Sequence, residues 1–255
     1  MKSAKRNRFH HGPKDVHHIY LVGSGKGGVG KSIISVNIAA ALLLRGNRVG
    51  ILDADIYGPN ISLLLGAHDP SLTPDKRQLL PVRDFGIQLI SLENLMPRKP
   101  VVSLEGHAVA RTIGRLIRQV DWDNLDFLIV DLPSGAGDVQ NLIVDALNPD
   151  GAVIVTTPHQ VCREDVQRCI SVFEQQGVPI TGLVENMVSW TCEKCGHVES
   201  FYAGSADRWC QIETIAVLPM DRSIWESSQK GIPLVFDAVN SDLERTFDRL
   251  ACGPA

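Results

Sequence analysis

The chain has 255 residues, 44% of them hydrophobic, enough to bury the core of one large α/β domain or two small ones. Its formal net charge of −4 gives no global reason to expect nucleic acid or an anionic membrane as a partner. No run of eighteen apolar residues occurs, so no transmembrane helix is expected.

Residues 1–18 are polar and basic, contain a His-Gly-Pro turn and lack the apolar stretch of a secretory signal. They predict a flexible arm over 1–17 whose histidines, His10, His11, His17 and His18, are surface residues rather than metal ligands. The main domain is expected over 18–255. Apolar strand-like runs then alternate with helical ones. Strands are predicted at 19–22, 48–52, 87–91, 127–130, 152–156, 180–185 and 214–217. Helices are predicted at 31–45 (ended by Gly46), 106–120, 137–147, 163–176 (stopped by Gly177), 223–230 and 241–250. The segment 66–83 carries three prolines and little periodicity, and reads as a surface excursion. A polar insertion covers about 188–212. The alternation and the near-continuous apolar strands predict an α/β fold: one domain, a mostly parallel sheet with helices on both faces. Ligands of such sheets bind beyond the carboxyl ends of the strands.

Several motifs fall at those ends. Gly25-Lys26-Gly27-Gly28-Val29-Gly30-Lys31-Ser32 has the spacing of a P-loop. Its glycines let successive N–H groups turn inward on a phosphate chain. Lys31 is placed for the β- and γ-phosphates of a nucleotide such as ATP, and Ser32 for Mg²⁺. Lys26, a second lysine inside the loop, suggests a nucleotide shared between two subunits. Gly23, Gly25 and Gly28 also spell the dinucleotide pattern G-x-G-x-x-G, with Asp53 further on, but that reading leaves Lys31-Ser32 unexplained. Leu128-Ile129-Val130-Asp131 is an apolar strand ending in a carboxylate, the arrangement in which an Asp supports Mg²⁺. The loop from Pro133 to Asp138 reads as a switch beside the γ-phosphate. Of Asp53 and Asp55, one carboxylate is suited to supporting Mg²⁺ and the other to orienting the attacking water, and Asp55 is the choice for the water. A helix cap is the alternative role for Asp55.

The six cysteines have no secretory signal beside them, so a disulfide framework is not expected. Cys162 and Cys169 share a face of a predicted helix and read as buried small residues. Cys192 and Cys195 form a C-x-x-C, which is half of a four-ligand site. A symmetric dimer would pool four thiolates, which suit a [4Fe–4S] cluster and equally a structural Zn²⁺. Cys192, Cys195 and His197 together give a zinc alternative, and a redox dithiol is a third reading.

The doubled-lysine loop resembles the deviant P-loop of the ParA/MinD/nitrogenase-iron-protein class. Further stretches resemble the Mrp/Nbp35 (ApbC) iron–sulfur carrier ATPases: Asp53 through Asn60, Asp131-Leu132-Pro133, Val184-Glu185-Asn186-Met187, the Cys192/Cys195 pair followed by Gly196-His197, and Leu218-Pro219. The similarity runs from about His18 to Asp237. It implies a cytoplasmic homodimer around ATP, with Lys26 crossing to the partner's nucleotide and Asp55 helping to activate water. It also implies that Asn186, and the backbone near Pro219, contact adenine. The paired cysteines of two subunits would bridge a labile [4Fe–4S] cluster for delivery to apo iron–sulfur proteins. The chain departs from the pattern at Ile33, at Ala136, in 202–211 with its extra Cys210, and near 104–107. The alternatives are a ParA/MinD-like positioning ATPase, a reductase like the nitrogenase iron protein, and a zinc-stapled regulatory ATPase. The first wants a basic surface or a cationic amphipathic tail, and 241–250 mixes acids and bases. The second wants a cysteine soon after Asp131, and none is present up to Asp138. Neither nucleic acid nor a stable membrane association is expected.

Overall fold

A computed structural model describes residues 13, 15–67, 79–92, 107–135, 137–201, 210–237 and 241–252. Ten strands are described: β1 Val16–Gly23, β2 Val49–Asp53, β3 Val82–Asp84, β4 Ile87–Ser91, β5 Leu125–Asp131, β6 Gly151–Thr156, β7 Ile180–Glu185, β8 Ser189–Thr191, β9 Val198–Ser200 and β10 Thr214–Val217. The helices are α1 Lys31–Leu44, α2 Ile61–Leu64, α3 His107–Arg118, α4 Asp138–Leu147, α5 Gln160–Gln175, α6 Arg222–Lys230 and α7 Ser241–Cys252. Eight strands form one sheet in the order β10-β7-β6-β1-β5-β2-β4-β3. All neighbours are parallel except β3 and β4.

The central strands are apolar on both sides because both sides are covered. Every residue of β2, β4 and β6 is buried. One face packs against α3, α4 and α5 through Ile113, Leu116, Ile143, Val144, Val166 and Phe173. The other packs against α1 and α7 through Ile34, Ile38, Leu42, Leu243 and Phe247. Helix α1 is itself overlaid by α7, so it is buried nearly all round and its middle is Ala39-Ala40-Ala41. The register sets Asp53 beside Asp131, and Asp131 beside Val22, at the carboxyl ends of three adjacent strands. That one edge collects the chemistry.

Several expectations need revision. Strand β1 starts at Val16, so Val16 and His17 belong to the sheet rather than to the arm, pairing alongside Leu125 and the start of β5. His17 and His18 lie on the exposed part of that strand near Asp126 and Asp150. His10 and His11 fall outside the described residues. The excursion 66–83 ends in β3, an antiparallel edge strand whose three residues fall below the length at which alternation is readable; residues 68–78 lie outside the described set. The flanks of Cys192 and Cys195 are not loop but the antiparallel hairpin β8–β9. Cys162 and Cys169 lie in α5 and are buried.

Phe173 is fully buried under the end of β1, where a Cβ on Gly23 would stand 3.0 Å from its ring. Phe173→Ala should cost about 3–5 kcal/mol of stability, read as a lowered denaturation midpoint in urea.

Candidate nucleotide and thiolate sites

The loop between β1 and α1 is shaped by its glycines. Gly28 and Gly30 have φ of 82° and 91°, in the left-handed region where a side chain is strained. A Cβ on Gly25 would stand 2.3 Å from the carbonyl carbon of Asp165, so the loop can rest on α5 only with glycine there. The buried Ser24 hydroxyl donates to the Lys26 carbonyl at 3.0 Å and closes the turn. The first turn of α1 carries no acidic residue and no side-chain cap, so its N–H groups are left for an anion. Lys26, Gly27 and Gly28 are exposed on the outside of the loop.

Lys31 and Ser32 begin α1 and turn toward the strand ends. The Lys31 ammonium lies 2.6 Å from Asp131 Oδ2 and 3.7 Å from Asp55 Oδ2. Ser32 Oγ donates to Asp131 Oδ2 at 2.7 Å, and Ser35 Oγ donates to Asp131 Oδ1 at 2.6 Å. Asp131 is completely buried, and these three donors from α1 compensate its charge. Ser35 belongs to no motif legible in the sequence. Its signal is a hydroxyl about one turn beyond Ser32, on the same side of the helix.

Asp53 and Asp55 prove unlike. Asp53 is fully buried and accepts from the backbone N–H of Ile61 and of Asp55 and from Ser91 Oγ, each at 3.2 Å. It is Asp53, not Asp55, that satisfies the start of helix α2, and its oxygens are occupied inside the protein. Burial, followed by the Asp131 charge, pushes the Asp53 carboxyl well above the ordinary carboxylate range. Asp55 remains partly accessible and faces Lys31. Burial raises its pKa, against the opposing pull of the Lys31 ammonium.

Asn186 follows β7, and its Nδ2 donates to the Val29 carbonyl of the loop at 2.9 Å. Leu218 N–H donates to the Glu185 carbonyl, and Val188 N–H to the Leu218 carbonyl, which brings half-buried Pro219 to the same edge as Asn186. In the loop after β5, Gly135 N–H donates to the Ser24 carbonyl and Ser134 lies opposite Gly27. Ala136 lies outside the described residues.

Cys192 and Cys195 sit in the turn of the β8–β9 hairpin. Cys192 N–H donates to the His197 carbonyl and Gly196 N–H to the Cys192 carbonyl, both at 2.8 Å, with Gly196 at φ 70°. The Cys192 thiol is drawn below its ordinary pKa, first by the N–H of Cys195, then by that of Lys194, then by the Cys195 thiol. The turn's backbone N–H groups thus favour a thiolate at Cys192. His197 turns instead to Glu199, 3.2 Å away. Among the described residues no three Cys, His, Asp or Glu side chains converge as a metal site. Cys210 points to the Ile212 carbonyl and packs against the core. The hairpin is braced by Met220 N–H donating to the Ser189 carbonyl and by Arg222 near Glu193.

A family model described as ParA, "NUBPL iron-transfer P-loop NTPase", matches residues 15–253. An iron-sulfur cluster carrier protein of Haemophilus influenzae is 39% identical over 93% of this chain and 66% of its own length. The chain therefore spans about two thirds of that relative. A nucleotide-binding protein from Archaeoglobus fulgidus, solved with ADP, superposes with a TM-score of 0.73 at 31% identity, over 87% of this chain and 89% of that one. The septum site-determining protein MinD of Pyrococcus horikoshii, solved with Mg-ADP, shares the fold at a TM-score of 0.69 and 23% identity, over 92% of this chain and 94% of its own. Among the described residues no helix is long and apolar enough to cross a membrane.

Two measurements check the buried charges. Asp131→Ala leaves the Lys31 ammonium, which is only 6% exposed, with Asp55 at 3.7 Å as its one remaining ion-pair partner among the described residues, and should cost about 3 kcal/mol in urea unfolding. Asp53 keeps its proton in the folded chain at pH values where the unfolded chain, with a carboxyl pKa of about 4, has lost it. The folded state then binds more protons, so stability falls as pH rises above about 4 toward the raised native pKa. Asp53→Asn should flatten that decline.

Proposed function

The chain belongs to the NUBPL-type iron-transfer P-loop NTPases of the ParA family, and from that premise we propose that it binds and hydrolyses ATP and carries a [4Fe–4S] cluster, held between two subunits, to apo iron–sulfur proteins. The observation that supports this reading is the presence, on one chain, of a glycine loop whose Ser32 lies 2.7 Å from Asp131 and of a Cys192–Cys195 pair on which, among the described residues, no third Cys, His, Asp or Glu converges.

On this reading Gly25 through Ser32 wrap the phosphates, and Lys31 meets the β- and γ-oxygens. The Ser32 hydroxyl and the Asp131 carboxylate, 2.7 Å apart, are the hard oxygen donors that suit Mg²⁺. That ion, when bound, neutralises phosphate charge. Lys31 then exchanges its bond to Asp131 for the nucleotide. Asp55, accessible and beside Lys31, orients the water that attacks the γ-phosphate. Exposed Lys26 reaches the partner's nucleotide and neutralises charge in the transition state. Asn186 and the backbone at Pro219 flank the adenine. Asp53 takes no part in holding Mg²⁺. It anchors the turn that presents Asp55.

The cluster is the cargo. Cys192 and Cys195 supply two thiolates, and the same pair of a second copy completes four. The five cysteines whose side chains are described, Cys162, Cys169, Cys192, Cys195 and Cys210, are free, which suits a reducing compartment, the cytoplasm. The acidic balance of the chain favours neither nucleic acid nor a membrane as partner.

Anaerobic reconstitution should yield about four iron and four sulfide per dimer, with both lost in Cys192→Ser or Cys195→Ser. Iron and sulfide retained by either variant, or zinc as the sole metal taken up, would defeat the proposal. Lys26→Ala should slow ATP turnover by about 100-fold or more while leaving nucleotide binding nearly intact, checked by phosphate release and by titration with a fluorescent nucleotide.

A further inference from the structure

The phosphate cradle and the cysteine hairpin are joined by a very short piece of chain. Strand β7 ends at Glu185, the next residue touches the P-loop, and β8 begins at Ser189. Asn186 N–H is fixed to the end of β6 through the Thr156 carbonyl at 2.8 Å. Its side chain, only 5% exposed, donates to the Val29 carbonyl. A trans peptide points its carbonyl and its N–H in opposite directions. Holding the Val29 carbonyl outward therefore turns the Gly30 N–H the other way, into the cradle. The contact is close enough to require glycine: a Cβ on Gly30 would stand 2.3 Å from Asn186 Nδ2 and 3.8 Å from Met187 Cε.

Met187 has φ 58°, a left-handed conformation that costs a non-glycine residue roughly 1–2 kcal/mol. It is held there by bonds on either side. Behind it is Asn186; ahead of it, Val188 N–H donates to the Leu218 carbonyl at 3.1 Å and Phe201 N–H to the Val188 carbonyl at 3.2 Å. Those bonds form the root of the hairpin that carries Cys192 and Cys195. A left-handed residue clamped between two anchored segments is a place where a small shift of one segment re-aims the other.

We propose that Asn186 and Met187 link the two sites, so that the setting of the Val29–Gly30 peptide on a bound nucleotide determines the posture of the cysteine hairpin. Asn186 acts here as a positioning residue: it orients a cradle N–H through the peptide it grips, and it passes any displacement of that peptide through Met187 to the hairpin root. The coupling is reciprocal, so occupancy of the thiolates changes nucleotide affinity by the same factor. The inference rests on the reading of the P-loop as a nucleotide site. It does not depend on which metal the thiolates take.

The test uses the full, metal-free protein. Alkylation of Cys192 and Cys195 by iodoacetamide is followed by mass spectrometry, with and without a saturating non-hydrolysable Mg-ATP analogue, while Cys210 is mapped separately. In the native chain nucleotide should change the rate at the pair by about fivefold or more. Asn186→Ala and Met187→Gly, each shown to be folded and saturated with nucleotide, should lose that response. Met187→Gly removes the left-handed cost without deleting a polar contact, so it serves if Asn186→Ala proves unstable. Equal rates in the native chain, or a response undiminished in Met187→Gly, overturn the proposal. A response of that kind would mean that subunit association merely shields the thiols. Because no metal is present, a negative result leaves the cluster assignment standing, and failure of iron–sulfur reconstitution leaves this link standing.

Discussion

The buried carboxylate of Asp131 is the constraint around which the rest is organised. A charge with no exposure to water is tolerable only when donors surround it, and Lys31, Ser32 and Ser35, all from the first turns of α1, do so. The arrangement dictates that α1 start directly beneath the carboxyl end of β5. That in turn requires the glycine loop from β1 to be tight, because β1 is the neighbour of β5.

Asp53 shows how a second carboxylate can stand beside the first without two full charges in one dry space. Its neighbour on the next strand is Asp131, and the conflict is eased by the raised pKa of Asp53, which favours its neutral form, and by its bonds to Ile61, Asp55 and Ser91. The division of labour follows from burial. The inner acid builds the turn, and the outer acid, Asp55, keeps access to solvent and to Lys31.

The hairpin after β7 has a different economy. It buries little of itself; Val198, Phe201 and Trp190 are all substantially exposed. Its order comes from backbone bonds around Cys192 and from its bracing against the segment following β10. A cysteine pair built this way is held in a fixed turn while Cys195 stays exposed and Cys192 half-buried.

The P-loop, the strand ending in Asp131 and the C-x-x-C could be read directly from the chain, because each depends on residues adjacent in sequence. So could the parallel sheet, since its doubly covered strands leave long apolar runs. Three things needed the tertiary structure. The different fates of Asp53 and Asp55 depend on burial and on Ile61 and Ser91, which no spacing rule connects to them. Ser35 became a partner of Asp131 only through the approach of α1 to β5. The grip of Asn186 on Val29 spans 157 positions and exists because β7 and β1 flank the same neighbour, β6. Local patterns specify which groups can do chemistry; only the packing of distant segments decides which of them are dry, charged and within reach of one another.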